Sequence, residues 1–179
     1  MYPFVRAGRV FARALTTRLD PALRSSTIAM RVWPNDLDTN AHMNNGRYLT
    51  LMDLGRFDLM TQCGLVSTAL KRKWFPVAGG VMVRFDRPLH AFEKFTLNSS
   101  IIGWDQRWLY FHHDIMTGPT RAARAIARGL FRTQGRSVPT AEILEAINYD
   151  GSPLAPPESV RLWMQADQLM KEENTKGEA

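Results

Sequence analysis

A chain of 179 residues with 45% hydrophobic content is long enough to bury one core and too short for two full domains. Its one cysteine, Cys63, excludes an internal disulfide framework and a paired-thiolate metal site, and no run of about 18 apolar residues is present to span a membrane. The net charge of +6 is concentrated at one end, where residues 1–31 hold six arginines against Asp20 alone, and no nucleic-acid motif accompanies it.

Residues 1–19 read as a basic amphipathic helix with Phe4, Val5, Val10, Phe11, Ala14 and Leu15 on its apolar side. Three roles are open for the extension 1–25: a packed or frayed end, adhesion to an anionic membrane surface, or an organellar transit peptide. No continuous apolar signal segment opens the chain, so a reducing, cytoplasmic setting is expected, with peripheral membrane contact as the variant. Residues 26–33 are short, β-branched and partly alternating, and Pro34 ends them, which predicts a strand and then a loop. From 45 to 63 apolar residues recur at three- and four-residue spacings and Gly64 follows as a C-cap, predicting one long helix. A glycine inside that helix, Gly55, costs about 1 kcal/mol relative to alanine and so predicts close packing against a sheet.

After a basic connector at 71–74, residues 77–87, 93–104 and 107–117 are rich in β-branched and aromatic side chains and predict three successive antiparallel strands, with a hairpin turn at 103–106. Residues 120–132 are ambiguous, since Arg121, Arg124, Arg128 and Arg132 lie at helical spacing while small residues alternate with larger ones. Residues 141–147 and 158–170 predict peripheral helices, and 171–179 a solvated tail.

The loop DLDTNAHMNN, residues 36–45, concentrates the chemistry. It opens like an EF-hand, but Ala41 stands where the turn glycine belongs and Arg47 where the bidentate glutamate belongs. Zinc lacks ligands too, because His42 has no neighbouring thiolate or second histidine at ligand spacing, and His112 and His113 would point to opposite faces of a strand. Asp38, Asn40 and His42 do suit acyl transfer: a carboxylate to activate water or attack, with an amide and an imidazole to bind it or the substrate. The following helix offers its first N–H groups, at Asn45 and Gly46, to a developing oxyanion. From the residues alone the plainer alternative stands beside this one, with Asn44 or Asn45 capping the helix and the other polar groups satisfying a tight loop. A rival nucleophilic set of Cys63, His42 and Asn40 fails on distance, since Cys63 lies roughly 25 Å along the helix from the loop.

The segment DLDTNAHMNNGRYL, set between a strand and a long helix, resembles the signature of hotdog-fold acyl thioesterases of the 4-hydroxybenzoyl-CoA thioesterase-like branch. In that branch the second aspartate of a D-x-D loop, ten residues before a tyrosine, is the catalytic carboxylate; the matching residues are Asp38 and Tyr48. Asp38, Asn40 and His42 also resemble the Asp, Asn, His set of plant acyl-ACP thioesterases, though a further acidic residue of those enzymes has no counterpart at 83–89. The resemblance covers residues 26–135. It implies an α+β hotdog fold, an antiparallel sheet wrapped around one long central helix, and therefore a strand at 120–132. It implies hydrolysis of acyl-CoA or acyl-carrier thioesters without metal or cofactor, and a homodimer or dimer of dimers. Lys71, Arg72, Lys73, Arg132 and Arg136 are candidates for the CoA phosphates, each equally readable as solvated surface. The expected organisation is an extension at 1–25, the hotdog domain at 26–150, and a C-terminal helix and tail at 151–179. Alternatives are a non-catalytic acyl-CoA-binding or membrane-peripheral scaffold protein, and a hotdog dehydratase. Met52, Leu54, Phe57 and Val81 suggest an apolar lining suited to medium or long acyl chains.

Overall fold

The structure is a computed structural model that describes residues 4–16, 20, 24–149 and 151–177. In chain order it contains α1 (Phe4–Thr16), β1 (Ser25–Arg31), a 3-10 turn at Pro34–Asp36, α2 (Asn45–Gln62), α3 (Leu65–Arg72), β2 (Phe75–Phe85), β3 (Lys94–Trp104), β4 (Leu109–Thr117), β5 (Thr120–Thr133), β6 (Arg136–Val138), α4 (Thr140–Ala146) and α5 (Glu158–Gly177). The strands form one sheet in the order β1-β3-β4-β5-β2, every pairing antiparallel, with β6 added at the end of β5.

This sheet curls around α2, as expected for a hotdog fold. Alternation decides which side chains face the helix: Phe95, Leu97 and Ser99 of β3 and Phe111, His113 and Ile115 of β4 are buried. From α2, Leu51, Met52 and Leu59 meet them with almost no exposure, each burial contributing about 1.5–3 kcal/mol. Gly55 lets the helix sit down on the sheet, because a Cβ there would stand 2.6 Å from Leu97 Cδ2 and closer still to Ser99 Oγ.

Residues 120–132 are a strand, not a helix. The spacing of Arg124, Arg128 and Arg132 is even, so it satisfies a two-residue period and puts all three on the outer face. Arg121 is brought into line by the register shift between Ile115 and Met116 on the neighbouring strand. The inner face is small, with Ala123, Ala125 and Ala127 buried. His112 and His113 point to opposite faces, as expected.

Several boundaries differ from expectation. The segment after Gly64 is a second helix, α3, because Gly64 at φ 82° redirects the chain without ending helical structure, so the connector at 71–74 is largely helix terminus. The turn expected at 103–106 is displaced to the residues between Trp104 and Leu109. The tail continues α5 in helical form as far as Gly177, with Lys171, Glu172 and Glu173 exposed.

Of the three readings of the N-terminal extension, docking on the body fits α1. Val10 is in the core and Ala7 packs beside it, while Phe4 and Val5 are 72% and 74% exposed. The expectations for residues 1–3, 17–19 and 21–23 lie outside the described residues. At the other terminus α5 covers the outer face of the sheet. Arg128, buried, is stacked between Trp108 and Trp163 and donates to Asp167 at 2.8 Å. No helix among the described residues is long and apolar enough to cross a membrane.

Candidate active site

The polar loop folds as a small hairpin at the entrance to α2. Leu37 and Met43 bridge across it, Asp38 N–H donates to the His42 carbonyl at 2.9 Å, and Ala41 takes a left-handed φ of 58° at the turn. One Asp38 carboxylate oxygen accepts the Asn40 backbone N–H at 2.8 Å, an Asx turn that fixes the side chain's direction. Its second oxygen accepts no hydrogen bond among the described residues. Asp38 and His42 are half-buried and Asn40 is exposed. The three side chains share one turn without hydrogen-bonding to each other; the backbone holds them together.

The two aspartates of the D-x-D pair have separate jobs. Asp36 is buried and accepts from Arg6 of α1 at 3.0 and 2.5 Å, from Arg47 Nε of α2 at 3.0 Å, and from Trp33 N–H at 2.8 Å. Its own carbonyl accepts Asn44 N–H at 2.9 Å. Asp36 is therefore the structural tie, and Asp38 is the carboxylate left facing outward.

At the start of α2, Asn44 is the N-cap and its side chain accepts the Gly46 N–H at 2.9 Å. The expectation that Gly46 donates to an oxyanion is corrected by this bond: its amide is occupied, and Asn45 N–H is the one of the pair left without a partner among the described residues. Tyr48 is buried, edge-on to Phe85 of β2 at 5.2 Å between ring centroids, and burial raises its pKa.

A histidine absent from the motif joins the loop. His90 bridges to His42 through the backbone, and the two rings meet edge-on with centroids 4.8 Å apart. Met43 N–H donates to the Leu89 carbonyl at 2.8 Å, and Glu93 accepts the His90 N–H at 3.0 Å, so this second segment braces the hairpin. No local pattern marks His90, because the link is made only by tertiary pairing.

Two cavities run along α2 on its β2 and β5 side. One, about 450 Å³, is lined by Phe11, Leu54, Phe57, Met60, Val77 and Phe131, among others. The other, about 460 Å³, includes Leu49, Met52, Gly79, Val81 and His113. Met52, Leu54, Phe57 and Val81 do line these spaces, as expected. The Asp53–Arg56 pair borders both cavities. Arg56 Nη1 lies 3.4 Å from His113 Nε2, and His113 Nδ1 lies 2.9 Å from Ser99 Oγ. Arginine only donates, so Nε2 accepts and Nδ1 carries the proton that Ser99 accepts. Burial, reinforced by Arg56, lowers the His113 pKa to about 3, which keeps it neutral. A larger cavity of about 680 Å³ lies between α1 and the β1–β3 edge, and none of the three is lined by residues 36–46.

The remaining expected residues fall elsewhere. Lys71, Arg72 and Lys73 are exposed beyond the far end of α2, with Arg72 over the Trp74 ring, and Arg132 lies beside them opposite Phe75. Arg136 pairs with Glu142. Within one subunit the 18 residues of α2 separate these cations from Asp38 by about 27 Å. Cys63 is buried at that same end, and burial pushes its thiol up to about 11, so it is a packing residue. No cluster of three or more metal-ligating side chains occurs among the described residues.

Comparison with known proteins agrees with this architecture. The chain is 28% identical over 164 residues to Protein THEM6 of Drosophila melanogaster, covering 89% of this chain and 82% of that protein. It is 36% identical over 88 residues to Protein THEM6 of Danio rerio, covering 49% of this chain and 44% of that one. In fold it is similar to 4-hydroxybenzoyl CoA thioesterase from Pseudomonas sp. strain CBS-3, with a TM-score of 0.61 at 17% identity, covering 69% of this chain and 99% of the other. Residues 32–164, from the strand end through the first turns of α5, match the model of the thioesterase-like superfamily, and the chain belongs to that superfamily.

Proposed function

We propose that the protein hydrolyses acyl-CoA thioesters, or their acyl-carrier equivalents, to free acid and thiol. The observation that carries this reading is Asp38, oriented by its own turn with one oxygen outward, beside the N-terminus of a helix whose Asn45 N–H is open. Asp38 either takes a proton from a water whose oxygen attacks the thioester carbonyl, or attacks that carbon itself. The carbonyl oxygen gains charge, which a helix N-terminus stabilises; the C–S bond then breaks and the thiolate leaves to be protonated, giving the free acid directly when water attacked, or an acyl–Asp38 anhydride that a water then hydrolyses when Asp38 attacked. His42, braced by His90, and Asn40 are assigned to orient water or the thioester. The apolar cavities along α2 suit an acyl chain, and Asp53 with Arg56 sets a polar point on their shared wall.

The sheet edge supports a homodimer. β2 is an 11-residue edge strand whose outer side has no strand beside it among the described residues, and Phe75, Val77, Val81, Met82 and Phe85 are exposed along it. So long an apolar edge favours pairing with a second copy. Two-fold pairing of identical edges runs antiparallel, which sets the Phe75 end of one copy beside the Phe85 end of the other. Phe85 packs on Tyr48 near the loop, so this arrangement carries Lys71, Arg72, Lys73 and Arg132 of one copy toward Asp38 of the other. In that setting those cations would meet the CoA phosphates. A second reading, peripheral contact with an anionic membrane through residues 1–25, is favoured by one feature, the exposed Phe4 and Val5 of α1.

Thiol release from acyl-CoAs of increasing chain length, followed by Ellman-type detection, tests the activity. Turnover that rises from acetyl to octanoyl substrates supports the proposal, and binding without turnover replaces it with a non-catalytic acyl-binding role. Single-turnover hydrolysis in oxygen-labelled water then separates the two roles of Asp38, since label enters its carboxylate only if it is the nucleophile.

A further inference from the structure

Helix α1 lies outside residues 32–164, the segment that matches the superfamily model, and yet it reaches the most tightly held point of the site loop. The Asp36 side chain is 1% exposed and the Arg6 side chain 11%. Arg6 donates to both oxygens of that carboxylate, at 3.0 and 2.5 Å, and to the Arg31 carbonyl at the end of β1 at 2.6 Å. It joins the end of β1 to the 3-10 turn that leads into the hairpin. One helical heptad later, Arg13 makes a second anchor: it donates to the Thr27 carbonyl at 2.8 Å and lies 3.9 Å from the buried Asp58 of α2. Two arginines on one face of α1 thus reach two buried carboxylates. Only the first of these, Asp36, sits two residues from Asp38, and its other cation, Arg47, comes from the first turn of α2.

We propose that Arg6 is a positioning residue of the thioester site: by holding Asp36 it fixes the turn that aims Asp38 and the seam between that turn and the start of α2. This inference rests on the assignment of Asp38 as the reacting carboxylate. Without Arg6, Asp36 keeps Arg47 and the Trp33 N–H and loses its bidentate partner, so the hairpin acquires freedom just where the carboxylate must be directed. Removal of α1 from this chain would then disarm the site without touching a residue that contacts substrate.

The test compares full-length Arg6→Ala, Arg6→Lys, Asp36→Asn, the Arg6→Ala/Asp36→Asn double variant, Arg9→Ala and Arg13→Ala. Two readouts are taken: steady-state hydrolysis of octanoyl-CoA and hydrogen exchange of residues 36–46. Arg9→Ala removes the same charge from the same helix, and Arg13→Ala loosens the helix at its other anchor. Arg6→Ala is expected to lower kcat by about ten- to a hundredfold, the scale for misplacing a reacting group, with KM changed less than about twofold. Arg6→Lys and added guanidinium should each restore part of the rate. The double variant should be no slower than Asp36→Asn alone, while Arg9→Ala and Arg13→Ala stay near wild type. Exchange at 36–46 should quicken in Arg6→Ala and not in Arg9→Ala. An Arg13→Ala loss as large as that of Arg6→Ala overturns the proposal in favour of helix docking in general, and unchanged exchange at 36–46 overturns it as well. If the wild-type chain hydrolyses no thioester, the proposed function falls, and the exchange arm alone still judges the latch.

Discussion

Replacing Gly55 with alanine places one methyl group where α2 touches the sheet. The new Cβ would stand 2.6 Å from Leu97 Cδ2, and Leu97 is fully buried, so helix or strand must shift. Overpacking of this kind costs about 1–3 kcal/mol. The same methyl presses on Ser99 Oγ, which accepts from His113 at 2.9 Å, and loss of that bond adds about 1 kcal/mol. Against this, alanine is better than glycine inside a helix by about 1 kcal/mol. The balance is a net loss of about 1–3 kcal/mol, or about 2–4 °C in Tm per kcal/mol for a chain of this size. Gly8→Ala in α1 is the matched control, since nothing lies within 4 Å of its Cβ position, and it should leave Tm unchanged or raise it. Thermal unfolding of both variants decides the matter. A Gly55→Ala protein as stable as wild type would refute the close approach of α2 to β3 on which the cavity geometry depends.

Two further outcomes follow from buried and edge residues. His113 has its pKa lowered from 6.5 to about 3, so below pH 6.5 the unfolded chain takes up a proton that the folded chain refuses; stability present above 6.5 is lost as pH falls, by at most about 1.4 kcal/mol per pH unit. Denaturant unfolding between pH 7 and pH 4 should therefore show a shallower acid decline in His113→Gln than in wild type, and equal slopes would contradict the assignment. Wild type is expected to give the dimer mass by size-exclusion chromatography and Val81→Glu, on the exposed edge of β2, the monomer mass; an unchanged dimer would place the interface elsewhere.

Much of the fold was legible because periodicity and punctuation agree over long segments. The α2 segment carries an apolar repeat bounded by an asparagine cap and Gly64, and the internal Gly55 correctly signalled contact with a sheet. Residues 120–132 defeated local reasoning for a definite reason: a four-residue spacing of arginines fits both a helix turn and two strand repeats, and only tertiary pairing with β2 and β4 chooses. Helix α3 went unread because eight residues following a glycine carry too little pattern. In the site, the cluster of Asp38, Asn40 and His42 was visible as an excess of polar groups before a helix. The structural role of Asp36 was not, since it depends on Arg6, 30 residues away, and Arg47. His90 was hidden for the same reason. The cations at 71–73 were legible as charge, but their distance from the loop within one subunit appears only in three dimensions.

Asp38 is proposed to carry thioester hydrolysis, in place of the buried thiol at the opposite end of α2. The most direct measurement is turnover of octanoyl-CoA by purified, folded Asp38→Asn and Cys63→Ala variants beside wild type, with unfolding curves confirming that each is native. Asp38→Asn is expected to lose about a hundredfold or more, the scale for removing a positioned acid or base, and Cys63→Ala to keep near-wild-type turnover. Retained activity in Asp38→Asn together with loss in Cys63→Ala would contradict the assignment.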